Sequence, residues 1–170
     1  MISVGLLVLR LVVGLTVAGH GAQKLLGWFG GGGLAGTRGM VVRLRFQPVQ
    51  LWTWAVILGE FGGGLLFALG LLSPIGSFGI IGAMAVAIWL VHVPKGFWNK
   101  DGGLEFPLQV AAVAFAVSLM GPGAYSLDSL VHLSLPEPAT WIVLAIGLIV
   151  TVAAGLWTRN LRTRSAAPAA

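Results

Sequence analysis

Seven ionisable side chains lie within or beside the apolar stretches of this sequence, and each offers chemistry: Arg10, His20, Lys24, Glu60, His92, Lys95 and Glu105. Glu60 is the most demanding. It sits in residues 51–72, a run that is otherwise almost wholly apolar and ends at Ser73-Pro74. A hydrocarbon core of about 30 Å takes about 20 helical residues to cross, so a helix starting near Val49 places Glu60 close to the midplane. An uncompensated carboxylate there costs at least a few kcal/mol, so the position demands a proton, a cation or a wet cavity. Gly62, Gly63 and Gly64 follow it and let a neighbouring helix come close on the same side.

His20, Lys24, His92, Lys95 and Glu105 fall at the same ends of three apolar stretches, with Glu60 above them. Two histidines and two carboxylates are a donor set for a divalent metal, and two histidines can ligate a b-type haem. Both are the weaker readings. His20 lies four to five residues deeper in its helix than His92, a step of about 7 Å, and Lys24 and Lys95 repel a cation. His92 and Lys95 are as readily explained as interfacial residues. Arg10 is placed about a third of the way into the membrane, from where a long side chain can bridge to Glu60. An Arg10–Glu60 ion pair is therefore expected, as a helix lock or as part of a working site. Residues 30–33 are glycines but lack the strand and the Lys-Ser or Lys-Thr pair of a phosphate loop. Ser126, Asp128 and His132 lie too close together in sequence for a triad, and capping explains them better.

These residues are positioned by membrane helices. Of the 170 residues 57% are hydrophobic and only 9% charged, too little polar surface for a soluble globule of this size. The net charge of +5 comes from basic residues flanking apolar spans, which argues against nucleic acid as a partner. No cysteine is present, so any redox role needs a bound cofactor or a partner. No cleaved signal peptide is expected, because no basic stretch precedes the first apolar run and Arg10 interrupts it. Five spans are expected, at 3–26, 49–72, 75–93, 104–120 and 139–158, forming a single all-α transmembrane domain over residues 1–158. Residues 159–170 are expected to be a basic cytoplasmic tail, disordered at its end.

The first span carries Arg10, Gly14, Val17, Gly21 and Lys24 on one stripe, which should face protein. The stretch 34–46, with Arg38, Arg43 and Arg45, fits a short helix lying in the membrane interface. A tight turn at 72–75 makes the second and third spans antiparallel neighbours. With the amino terminus outside and the carboxyl terminus in the cytoplasm, nine of the ten Lys and Arg residues fall on the cytoplasmic side.

Arg10, the run Gly19-His20-Gly21-Ala22-Gln23-Lys24-Leu25, Glu60 with Gly63 and Gly64, Gly70, Glu105, Gly121-Pro122-Gly123 and Ser126-Leu127-Asp128 together resemble the DoxX family of small bacterial membrane proteins. The likeness extends over about residues 9–128. It implies a four-helix membrane core in the bacterial inner membrane, to which this chain adds a fifth, C-terminal span. It also implies a subunit associated with quinone- or thiol-linked redox systems and oxidative stress, in its enzymatic form an oxidoreductase subunit.

A quinone needs an apolar path from lipid, donors to its carbonyl oxygens and a group that exchanges protons. The residues expected to meet it are His20, Lys24, Glu60, Trp89, Trp98 and Glu105, with Glu60 and His20 as the catalytic pair. Two other readings stand beside this one. In the first the protein is a non-catalytic scaffold that recruits a soluble redox partner to the cytoplasmic face through its arginines. In the second it is a small proton-linked transporter with Glu60 as the protonation site, although no inverted repeat supports that. Self-association into a homo-oligomer is compatible with all three.

Overall fold

Seven α-helical segments, with short 3-10 turns at Trp28–Gly30 and Asn99–Asp101, follow one another without an intervening strand in the computed structural model, which describes residues 1–165; the side chains of 139, 151, 156 and 158–165 are not described. We label them α1 (Ile2–Leu25), α2 (Gly33–Arg43), α3 (Val49–Leu69), α4 (Ser73–Lys95), α5 (Glu105–Met120), the single turn α6 (Leu127–Leu130) and α7 (Ala139–Ser165). Helices α1, α3 and α4 are each long and apolar enough to cross a membrane, whereas α5 and Thr140–Gly155 within α7 are shorter apolar helices. The molecule is an all-α bundle of membrane type. The α2 segment falls where an interfacial helix was expected. The last helix runs to Ser165, past the boundary anticipated at 158, and the end of the expected tail, from 166 onward, lies outside the described residues.

The α1 stripe does face protein: Arg10, Gly14, Val17 and Gly21 are buried, while Val4, Val8, Val12 and Leu15 on the other side are exposed. Lipid tails are as apolar as leucine, so helices in a membrane associate by close packing rather than by leaving water. Glycine makes that packing possible here. A Cβ at Gly14 would lie 2.6 Å from the Ala68 amide nitrogen, one at Gly64 2.5 Å from that of Ala18, and one at Gly21 2.3 Å from that of Phe61. Backbone meets backbone along the whole α1–α3 contact, and these pairs set an antiparallel register.

Between α1, α3, α4 and α5 the core is filled by Leu6, Val17, Phe67, Ile80, Val110 and Ala114. A separate cluster of Val41, Phe46 and Trp52 fixes α2 to the start of α3, with the Phe46 and Trp52 rings 4.8 Å apart. The Thr37 hydroxyl shares its proton between the carbonyls of Lys24 (2.9 Å) and Gly33 (3.0 Å), which ties α2 to the end of α1. Helix α7 lies along α4, with Trp141 edge-on to Phe78 at 5.7 Å.

The α3–α4 turn is built around Asp128. Gly70 adopts φ +61°, a left-handed conformation natural to glycine, and closes α3. The Asp128 carboxylate then accepts from the amides of Leu72 (2.8 Å) and Ser73 (2.9 Å) and from the Ser73 hydroxyl (2.7 Å), capping the amino end of α4. The amide of Asp128 in turn donates to the Gly70 carbonyl at 3.0 Å. The loop after α5 is thereby a structured clamp, and Ser126 caps α6 by accepting from the Ser129 amide at 3.1 Å.

Candidate functional site

Glu60 is buried and lies in a stretch, Leu58–Gly62, where α3 widens from the i→i+4 to the i→i+5 hydrogen-bond pattern. Such widened turns recur at functional sites because they redirect a side chain without ending the helix. The Glu60 carboxylate accepts a hydrogen bond from the ammonium of Lys24, forming an ion pair whose acidic side chain is 7% exposed and whose basic one is 24% exposed. The Lys24 ammonium keeps donors to spare, and the other carboxylate oxygen remains an acceptor.

The expected Arg10–Glu60 pair is not formed. Arg10 is 1% exposed and donates from Nη2 to the Tyr125 carbonyl. Its Nε and Nη1 have no hydrogen-bond partner among the described residues. The reason is register. The same glycine contacts that set Gly14 against Ala68 and Gly21 against Phe61 bring Arg10 to Gly70 and Lys24 to Glu60. Arg10 and Glu60 are about ten residues out of step, roughly 15 Å along the helices, beyond what a side chain can span.

The ion pair looks into a cavity of about 520 Å³ between α2, α3, α4 and α7. Apart from Lys24 and Glu60 its walls are apolar or glycine, among them Phe46, Trp52, Phe78 and Leu144. One face of α3 supplies Trp52, Val56, Gly59 and Glu60, at the three- and four-residue spacing of a helical stripe. A volume of this size with one polar locus is what a lipophilic small molecule requires.

The remaining expected site residues are distributed elsewhere. His20 does not line this cavity: its Nδ1 lies 3.1 Å from Gln23 Oε1, and its ring meets Phe106 edge-on at 5.8 Å. Glu105 accepts from the Asn99 amide at 2.9 Å, organising the loop before α5. Trp98 is exposed on that loop against Phe97, and Trp89 is exposed on α4 beside a smaller chamber. His92 Nδ1 donates to the Gly102 carbonyl at 2.7 Å, and Lys95 is exposed. Of His20, Lys24, Glu60, Trp89, Trp98 and Glu105, expected around one ligand, the structure brings Lys24 and Glu60 together in the wall of this cavity and places the other four outside its lining. Among the described residues no three His, Asp or Glu side chains gather as a metal site would need.

Sequence reasoning missed the walls contributed by α2 and α7. Phe46 and Trp52 carried a signal, a pair of large aromatics flanking Pro48 at a helix start. The cavity face of α7 carried none, since an uncharged span shows no preferred side.

Residues 5–93 match the sequence model of the family described as DoxX. That match runs from the beginning of α1 to the end of α4 and contains Arg10, Lys24 and Glu60. No curated protein and no solved structure matches the chain.

Proposed function

The chain belongs to the DoxX family, and from that premise we propose that it binds a quinone-like lipophile in the α2–α3–α4–α7 cavity as part of a membrane redox system. The observation that carries this reading is a single buried ion pair, Lys24–Glu60, facing about 520 Å³ of otherwise apolar space. Lys24 supplies a hydrogen-bond donor to a carbonyl oxygen, and Glu60 is a group that can hold or pass a proton at that oxygen. A quinone bound there would supply electron-accepting chemistry that the chain itself lacks, having no cysteine. In this reading the protein is a multi-pass inner-membrane subunit with five spans, its amino terminus outside and its carboxyl terminus in the cytoplasm, and Lys24–Glu60 is the site's working pair.

A second reading draws on a different surface. Arg38, Arg43 and Arg45 are all exposed on or just after α2, and Trp28 and Phe29 are exposed in the segment before it, which suits a scaffold that recruits a soluble redox partner.

The test is purification in mild detergent, organic extraction and identification of any co-purifying quinone, followed by titration with ubiquinone and menaquinone analogues read by tryptophan fluorescence. Gly147 lines the cavity and a Cβ there meets nothing within 4 Å, so Gly147→Phe should fill the space while the fold survives. The wild type should retain quinone, with several-fold less in Gly147→Phe and Lys24→Gln. A folded wild type that binds none in either assay rejects this reading in favour of the scaffold.

A further inference from the structure

A second chamber of about 330 Å³ adjoins the first and shares Phe46, Trp52, Val86 and Val152 with it. Its remaining walls are wholly apolar or glycine and include Ala85 and Trp89. Trp89 is 65% exposed, so the chamber reaches the outside of the bundle beside it, where α4 itself widens over Ile88–His92. The two chambers therefore lie side by side across Phe46, Trp52, Val86 and Val152, with charge in the first and none in the second.

Resting on the reading above, we infer that the ligand is a single-tailed amphiphile whose head meets Lys24–Glu60 and whose long hydrocarbon tail occupies the second chamber, leaving the protein beside Trp89. A compact ring satisfies the polar end but leaves the second chamber without a complementary group. A tail moving from lipid into that chamber goes from one apolar medium to another and gains little from hydrophobicity, so its recognition rests on shape and close contact. Helix α7 supplies that shape. Gly155 lies so near the aromatic neck that a Cβ there would be 2.7 Å from Trp52 Cη2 and 2.8 Å from Phe46 Cε1. The α7 wall of this path, Val152 and Gly155, lies beyond the residues matched to the family.

The experiment uses the full chain in phosphatidylcholine nanodiscs and two benzoquinone probes with decyl tails, one bearing a diazirine next to the ring and the other at the tail end. After irradiation, peptide mapping should place the ring label on segments containing Lys24 or Val56 to Glu60. The tail label should fall on segments containing Ala85 to Leu90 or Val152 to Gly155. A ring label at Lys24 or Glu60 with the tail label near Ile75 and Phe78 overturns the tail path while leaving the quinone reading intact. Labelling at neither chamber, or labelling not displaced by unlabelled decyl-benzoquinone, overturns both. A second measurement guards against misplacement by the label itself. Ala85→Leu, which fills the second chamber, should lower the affinity ratio of decyl to tail-less benzoquinone by roughly tenfold, the scale of an overpacking penalty. An unchanged ratio in a folded variant rejects the tail path.

Discussion

Lys24, in the last turn of α1, reaches across to Glu60 in the widened turn of α3 and neutralises the one carboxylate buried in the middle of that helix. The pair closes the polar end of an apolar cavity, so it serves packing and chemistry together. At the other end of the same helix contact lies Arg10, held by the Tyr125 carbonyl.

Removing Lys24 strands a buried charge. Lys24→Ala should destabilise the fold by a few kcal/mol, less than the roughly 3–5 kcal/mol of a fully buried pair because the lysine is 24% exposed. Glu60→Gln should cost less, since it leaves no bare carboxylate. In a detergent melt the Lys24→Ala/Glu60→Gln double variant should depart from the sum of its singles by at least about 0.5 kcal/mol, whereas Arg10→Ala with Glu60→Gln should be additive. Additivity for the first pair would show that the contact carries no coupling.

Asp128 is expected to matter more than an exposed loop acid would. Asp128→Ala removes three hydrogen bonds at the start of α4, so it should lower stability by roughly 2–3 kcal/mol through the loss of a cap and the amides it leaves unpaired. Ser73→Ala removes only one of those bonds and should cost about 1 kcal/mol. Thermal melts of the two variants compare them directly, and equal losses would contradict the clamp.

The α1–α3 contact should reject side chains. Gly64→Leu places a Cβ 2.5 Å from backbone at Ala18, so α1 must move away, and the variant should misassemble or lose several degrees in Tm. Gly19→Leu on the same helix pair, where a Cβ meets nothing within 4 Å, should be tolerated. Size-exclusion profiles and melts of both variants decide it.

Orientation is testable without a structure. A reporter active only in the cytoplasm should give signal when fused after Ala170 and none when fused before Met1, in keeping with the placement of the basic residues. Signal from both fusions or from neither, at normal expression, would remove the five-span arrangement, and the opposite pattern would overturn its orientation.

The helical class, the protein-facing side of α1, the presence of a helix at α2 and the tight α3–α4 turn were all legible in the chain, because each follows from local periodicity, glycine placement and turn chemistry. So was the need of Glu60 for a proton, a cation or a wet cavity, which is a matter of burial alone. Which cation answers it was not legible. Periodicity states the angle at which a residue leaves its own helix, not the offset between two helices, and here that offset is set by backbone contacts at Gly14, Gly21 and Gly64. A shift of about 14 residues, roughly 21 Å, separates the Arg10 solution from the Lys24 solution. His20 was drawn to the site for the same reason: it lies one turn from Lys24, yet its side chain is engaged by Gln23 and Phe106, towards α5 rather than the cavity. The cavity itself needs α2, α3, α4 and α7 at once, and volume enclosed by distant segments leaves no trace in any one of them. Tertiary packing alone decided that Lys24 and Glu60, rather than the wider set of polar residues, share an apolar chamber.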